Sequence, residues 1–248
     1  MIEKSSPFGG DFLQGNAMMR KKFDLSAYLV IGPENTNGRS VARVVAEAVQ
    51  AGFTFVQIRS KVAEARELIA LTRAAADVIT AHGKSDEVAL VVNDRLDVAL
   101  AAREQGIKVD GVHVGQSDIP PEICRKYLGA DAVIGLSAPT RELLEYVEHG
   151  DMSAIDYFGA GPLHATATKP DAGLDADGHI VTYSLDELAQ LQCVSSLPIV
   201  VGGGVKAADI PALRASGVAG FFVVSAVAGA LHPYAAAKEM VQLWGMMD

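Results

Sequence analysis

From Tyr28 onward, short apolar runs alternate with stretches whose apolar residues recur every three or four positions, the signature of strand–helix pairs. The runs are Tyr28-Leu29-Val30-Ile31, Phe53 to Ile58, Val88-Ala89-Leu90-Val91-Val92, Gly111-Val112-His113-Val114, Ala132-Val133-Ile134-Gly135-Leu136, Ala154-Ile155-Asp156-Tyr157-Phe158, Pro198-Ile199-Val200-Val201 and Gly220 to Val224. Between the first two, Ser40 to Ala51 places Val41, Val44, Val45 and Ala48 on one helical face. Runs this apolar suit strands covered on both faces, as parallel sheets require. Eight near-equal pairs in 248 residues, with no shift in composition, predict a single (β/α)8 TIM barrel of the α/β class. A doubly wound open sheet is the rival architecture, and the even spacing favours closure. The barrel is assigned to residues 24–248 and a mobile arm to 1–23, where Ser5-Ser6-Pro7 and Gly9-Gly10 interrupt any period and Met18 and Met19 offer later starts.

In such a barrel the C-terminal strand ends form one rim, and chemistry is placed there. The third run ends in Asn93-Asp94-Arg95. Three polar groups closing a buried strand are costly without a use. A carboxylate beside an amide can hold a hard cation, or both can cap the helix starting near Leu96. The second run ends in Gln57-Ile58-Arg59-Ser60-Lys61, and strand alternation turns Gln57 and Arg59 into the barrel mouth. Arg59 and Lys61 suit phosphate oxygens; ion pairs with Glu64 or Glu67 are the alternative. Gly115-Gln116-Ser117-Asp118 follows the fourth run, so Asp94 and Asp118 lie on adjacent strands and could share one Mg²⁺, or Asp118 could cap the helix at Pro120. Ser137 follows the fifth run as a site or turn residue. Thr166-Ala167-Thr168-Lys169 sits in a long loop after the sixth, as an anion lid or a solvated segment.

The seventh run leads into Gly202-Gly203-Gly204-Val205 and the eighth into Val224-Ser225-Ala226. Such turns expose backbone N–H groups that bind phosphate in many barrels, and three glycines in a row imply close approach to the backbone. Two anion sites on one rim, with no evident acid–base pair, suggest a joining reaction with pyrophosphate as leaving group. His113, inside a strand, reads as a packed core residue; His164, in the long loop, is less easily set aside.

The net charge of -9 argues against a nucleic-acid partner. Cys124 and Cys193 have no metal-ligand spacing, which fits a reduced, cytoplasmic setting. No apolar run is long enough for a membrane span or a secretory leader. Partners reduce to small phosphorylated molecules, with homo-oligomer formation allowed.

Taken in order from about Tyr28 to Pro233, Gln57-x-Arg59-x-Lys61, Asn93-Asp94-Arg95, Gly115-Gln116-x-Asp118, Gly135-x-Ser137, Thr166-x-Thr168-Lys169, Gly203-Gly204-Val205 and Val224-Ser225-Ala226 resemble thiamine phosphate synthase. The resemblance implies condensation of a pyrimidinylmethyl diphosphate with a thiazole ethyl phosphate, or its carboxylated form, releasing pyrophosphate with Mg²⁺ by a dissociative route. It implies that Gln57, Ile58, Arg59, Ser60, Lys61, Asn93, Ser137 and Lys169 hold the diphosphate, with Arg59, Lys61, Ser137 and Lys169 as the catalytic groups. Asp94 and Asp118 would ligate Mg²⁺, and Thr166, Ala167, Thr168, Gly204, Val224 and Ser225 would hold the thiazole phosphate. The polar loop Gly32 to Gly38, His164, and the stretch Gly173 to Thr182 depart from the family pattern. Rival readings are the related thiazole tautomerase, which relies on a histidine in the sixth-strand loop, another phosphate-binding barrel isomerase, and a non-catalytic thiamine phosphate sensor.

Overall fold

The computed structural model of the chain describes residues 22–137, 140–165 and 181–245. Eight parallel strands close into a barrel in sequence order: β1 (Ala27–Ile31), β2 (Phe55–Ile58), β3 (Ala89–Asn93), β4 (Gly111–Val114), β5 (Val133–Ser137), β6 (Tyr157–Ala160), β7 (Ile199–Val201) and β8 (Gly220–Val223). β8 returns to pair with β1, so no edge is left open. The single (β/α)8 domain expected from the alternation is the architecture observed.

Each strand separates two cores. Inward, Tyr28, Val30, Phe55, Ala89, Val91, Val133, Tyr157 and Val200 fill the barrel, with Phe23 and Phe222 packed against them. Outward, Leu29, Ile31, Val56 and Ile58 meet the helices. The period-2 alternation of a strand produces this division. On the helix side, α1 (Val41–Ala51) buries Val41, Val44, Val45, Ala48 and Val49, each buried Val contributing roughly 1.5–3 kcal/mol. Ser40 starts this helix by accepting a bond from Arg43 N, and Gly52 ends it at φ 110°. The remaining helices are α2 (Ala65–Ala81), α3 (Leu96–Glu104), α4 (Pro121–Leu128), α5 (Thr140–His149), α6 (Leu185–Val194), α7 (Ile210–Ala215), α8 (Ser225–Ala228) and α9 (Pro233–Trp244).

The N-terminal end of the barrel is fastened by buried carboxylates. Asp110 accepts from Leu90 N at 2.7 Å and pairs with Lys108. Asp156 accepts from Ile134 N at 2.7 Å and pairs with Arg125. Each carboxylate stitches the start of its strand to the strand before, on the face where barrels invest in stability.

β6 differs from the expected run. It begins at Tyr157 rather than Ala154 and continues through Gly159 and Ala160, which read as the opening of a loop. The reason is steric. A Cβ on Gly159 would lie 3.0 Å from His113 Cε1 and 3.0 Å from Ser137 Oγ, so glycine here keeps a strand residue clear of its inward neighbours. Of the expected N-terminal arm, only Lys22 and Phe23 fall within the described residues. Phe23 packs with its ring 6.1 Å from that of Phe55.

Candidate active site

The C-terminal rim opens into a cavity of about 690 Å³, within the range of ligand pockets. Gln57, Arg59, Lys61, Asn93, Asp94, Asp118, Ser137, Gly204, Val224 and Ser225 all line it. Residues scattered over six strand ends therefore meet at one mouth. Ile58 does not: its side chain points outward into the strand–helix core. Ser60 hydroxyl donates to Glu34 instead, and Lys61 N donates to the same carboxylate at 3.3 Å. The polar loop after β1 thus holds the segment that carries Lys61. Thr166, Ala167, Thr168 and Lys169 lie outside the described residues, as does most of the 173–182 stretch.

The carboxylates are not helix caps. α3 is capped at Arg95 and α4 at Pro120, neither with a side-chain cap bond. Asp94 instead adopts φ 60°, a left-handed conformation uncommon outside glycine, though tolerated by Asp. Such backbone marks functional sites more often than chance. Asp94 N donates to His113 O at 2.8 Å, locking the turn to β4. Asp118 Oδ2 accepts from Gly115 N at 2.8 Å. Burial, and then the adjacent Asp94 carboxylate, raise the Asp118 pKa, against the Gly115 N–H and Lys61, which lower it. Lys61 Nζ lies 3.0 Å from Asp94 Oδ2.

Among the described residues no cluster of three or more His, Cys, Asp and Glu side chains is placed to hold a metal. Two adjoining carboxylates are nonetheless the donor set Mg²⁺ takes when waters and substrate phosphates complete its octahedron. Burial is the larger cause of the raised Asp118 pKa and the Asp94 charge a smaller one, and that smaller repulsion is what a divalent cation would relieve. The residues fit the ion. Among the described residues Arg59 makes no ion pair, so its guanidinium is available to an anion; the anticipated alternatives, Glu64 and Glu67, do not engage it.

On the opposite side of the mouth, Gly203 and Gly204 have φ 80° and 75°. Much of what approaches these glycines is the chain itself. A Cβ on Gly202 would strike Phe222, one on Gly203 would lie 2.6 Å from Pro162 Cα, and one on Gly204 2.9 Å from His164 Cβ. Among the described residues the N–H groups of Gly203, Gly204 and Ser225 have no hydrogen-bond acceptor, which leaves a neutral backbone nest facing the cavity.

Two features escaped the sequence reading. His164 Nε2 lies 3.0 Å from Asp209 Oδ1, an acid–base pair whose halves are 45 positions apart in the chain, too far for any local motif. Beneath the mouth, Ser137 Oγ meets His113 Nε2 at 2.7 Å, His113 Nδ1 meets Tyr157 hydroxyl at 2.9 Å, and Tyr157 meets Tyr28 hydroxyl at 3.0 Å. His113 is buried as expected, but as part of a polar chain. Its available signal was the register: His113 pairs with Gly135 and Gly135 with Tyr157, so the glycine leaves room for both rings.

Comparisons with known proteins agree with this fold and identify its family. Residues 27–227 match the model of the family described as thiamine monophosphate synthase. A thiamine-phosphate synthase of Corynebacterium efficiens is 41% identical over 233 residues, covering 92% of this chain and 98% of that protein. One from Azorhizobium caulinodans is 38% identical, covering 90% of this chain and 96% of that protein. Among solved structures, thiamine phosphate pyrophosphorylase from Pyrococcus furiosus superimposes with a TM-score of 0.71 at 26% identity, covering 90% of this chain and 96% of that one. A barrel with these strand ends, matched along nearly its whole length, belongs to the thiamine monophosphate synthase family of transferases.

Proposed function

We propose that the chain condenses a pyrimidinylmethyl diphosphate with a thiazole ethyl phosphate, or its carboxylated form, to give thiamine phosphate and pyrophosphate. The observation that carries this reading is the sharing of one cavity by Arg59, which has no ion pair among the described residues, the Lys61–Asp94–Asp118 cluster and the backbone nest at Gly203 and Gly204. One half of the mouth suits a diphosphate and the other a phosphate monoester. The relatives' name, thiamine-phosphate synthase, supports the same product.

In this mechanism Arg59 and Lys61 bind the diphosphate oxygens and stabilise the charge that develops as the carbon–oxygen bond breaks. Gln57 and Asn93, joined at 3.3 Å, orient the pyrimidine side. Ser137 donates to the departing oxyanion. The nest holds the thiazole phosphate so that its ring nitrogen faces the pyrimidinylmethyl cation and captures it. Asp94 and Asp118 would hold Mg²⁺, which when bound supplies further charge neutralisation at the leaving group. Lys169 and Thr166 to Thr168 are assigned to the diphosphate and the thiazole phosphate respectively, by position in the motif. Free Cys124 and Cys193 support a reduced, cytoplasmic setting, and no described helix is long and apolar enough to cross a membrane.

The His164–Asp209 pair favours one second reading, isomerisation of the thiazole phosphate by the related tautomerase chemistry. A single assay decides between them. Mixing both substrates with Mg²⁺ should release pyrophosphate in step with thiamine phosphate. Isomerisation of the thiazole phosphate alone, with no pyrophosphate released from the mixture, would sink the synthase assignment.

A further inference from the structure

The barrel interior beneath the mouth carries more polarity than packing requires. Tyr28, Tyr157 and His113 are each less than a tenth exposed. Aliphatic residues at these positions would fill the barrel without desolvating two phenols and an imidazole. Neighbouring strands have instead given up side chains to admit the rings: a Cβ on Gly135 would overlap both Tyr157 and His113 Nδ1. A buried polar chain is tolerated when its members satisfy one another, and here each link lies between 2.7 and 3.0 Å. At one end is Tyr28, at the other the hydroxyl of Ser137, half-buried and lining the cavity.

We infer that His113 is a positioning residue that sets the Ser137 hydroxyl as a hydrogen-bond donor to the cavity. One consistent direction runs through the chain. Tyr28 donates to Tyr157, Tyr157 donates to His113 Nδ1, and His113 Nε2–H donates to Ser137 Oγ. Among the described residues the Ser137 proton then has no inward acceptor, and it is directed at whatever anion occupies the mouth. Burial raises the pKa of both tyrosines, so each keeps the proton it must donate. In the opposite direction Ser137 would spend its proton on Nε2 and offer lone pairs to an oxyanion. The chain of donors thus matters only if the ligand is an acceptor, so the inference rests on the proposed role of Ser137 at the departing diphosphate.

The test is a kinetic cycle on the full chain with Ser137→Ala, His113→Leu, His113→Gln and the double variant Ser137→Ala/His113→Leu. His113→Leu should lower kcat about tenfold or more, the scale seen when an outer hydrogen-bond partner is removed, weaken inhibition by pyrophosphate in parallel, and leave KM for the thiazole phosphate unchanged. His113→Gln retains an N–H near the Nε2 position and should recover much of the loss. The double variant should be no slower than Ser137→Ala alone, because coupled residues are non-additive. Additive losses, or glutamine as damaging as leucine, overturn the inference. Nitrogen NMR of His113 tests it without substitution at the site: the Nε2–H tautomer is expected in the wild type and its dominance should be lost in Tyr157→Phe, whereas an Nδ1–H tautomer in the wild type overturns it. Full activity in Ser137→Ala would remove the role of Ser137 on which the inference rests. A normal loss in Ser137→Ala with additive His113 effects would remove the inference alone.

Discussion

The Lys61 ammonium sits 3.0 Å from the Asp94 carboxylate, each on the end of a neighbouring strand. Lys61 therefore occupies one face of a carboxylate proposed above to hold Mg²⁺, while its own side chain remains largely in solvent. Half-exposed pairs of this kind contribute about 1 kcal/mol or less. Lys61→Gln should raise the affinity for Mn²⁺ alone by up to about fivefold, yet raise KM for the diphosphate substrate. Titration followed by electron paramagnetic resonance, with and without pyrophosphate, separates the two effects. Weaker Mn²⁺ binding in the variant without pyrophosphate would contradict the competition.

Asp94→Asn keeps a side chain that tolerates the left-handed backbone at φ 60°. The fold and melting temperature should persist while Mg²⁺-dependent turnover falls by orders of magnitude. Wild-type turnover at saturating Mg²⁺ is the outcome that removes Asp94 from the metal site.

Gly204→Ala adds a methyl group 2.9 Å from His164 Cβ at a backbone angle of φ 75°. The strain costs about 1–3 kcal/mol and shifts a donor of the nest. KM for the thiazole phosphate should rise about tenfold, the equivalent of one weakened charge-assisted bond, with KM for the diphosphate unchanged. Equal rises in both constants would speak for general damage rather than a phosphate nest.

Asp156→Ala removes a carboxylate that is almost fully buried and serves both Ile134 N and Arg125. Leaving the part-buried Arg125 with carbonyl partners but no counter-charge should destabilise the barrel by about 3 kcal/mol. Because the pair lies on the face opposite the cavity, KM values at low temperature should stay at wild-type levels. Denaturant unfolding and steady-state kinetics check the two halves.

Burial pushes the Cys124 thiol up to about 11, and raises Tyr28 and Tyr157 as well. For each, the folded state holds its proton more tightly than the unfolded chain does. Stability is then undiminished below the ordinary thiol pKa near 9 and falls as pH rises from there towards 11. Thermal melts across this window should record the decline, and a thiol reagent near pH 8 should modify exposed Cys193 promptly and buried Cys124 only on unfolding. Two thiols reacting at equal rates in the folded protein would refute the placement of Cys124.

Much of this molecule was legible before any coordinates. The spacing of apolar runs leads to the barrel, and strand alternation correctly turns Gln57 and Arg59 inward, since both line the cavity. Asp94 and Asp118 converge because adjacent strands end at one rim. Local pattern failed where the cause was long-range. Gly159 resembled turn punctuation because the groups that demand it, the His113 ring and the Ser137 hydroxyl, come from other strands. The His164–Asp209 pair joins a loop to the 3-10 turn that leads into α7, two segments that share no motif. Ile58 was carried into the site with its neighbours in the motif, though alternation alone turns it to the helices.

The edge-on rings of Tyr28 and Tyr157, with Phe55, make the barrel a cul-de-sac. These rings are almost fully buried, so among the described residues the cavity opens at the rim, and the reactants and products of the proposed condensation would share that doorway. A molecule seated deep in the passage is trapped behind whichever arrives second, so the sequence of arrivals and departures is imposed by the architecture of the passage as well as by relative affinities.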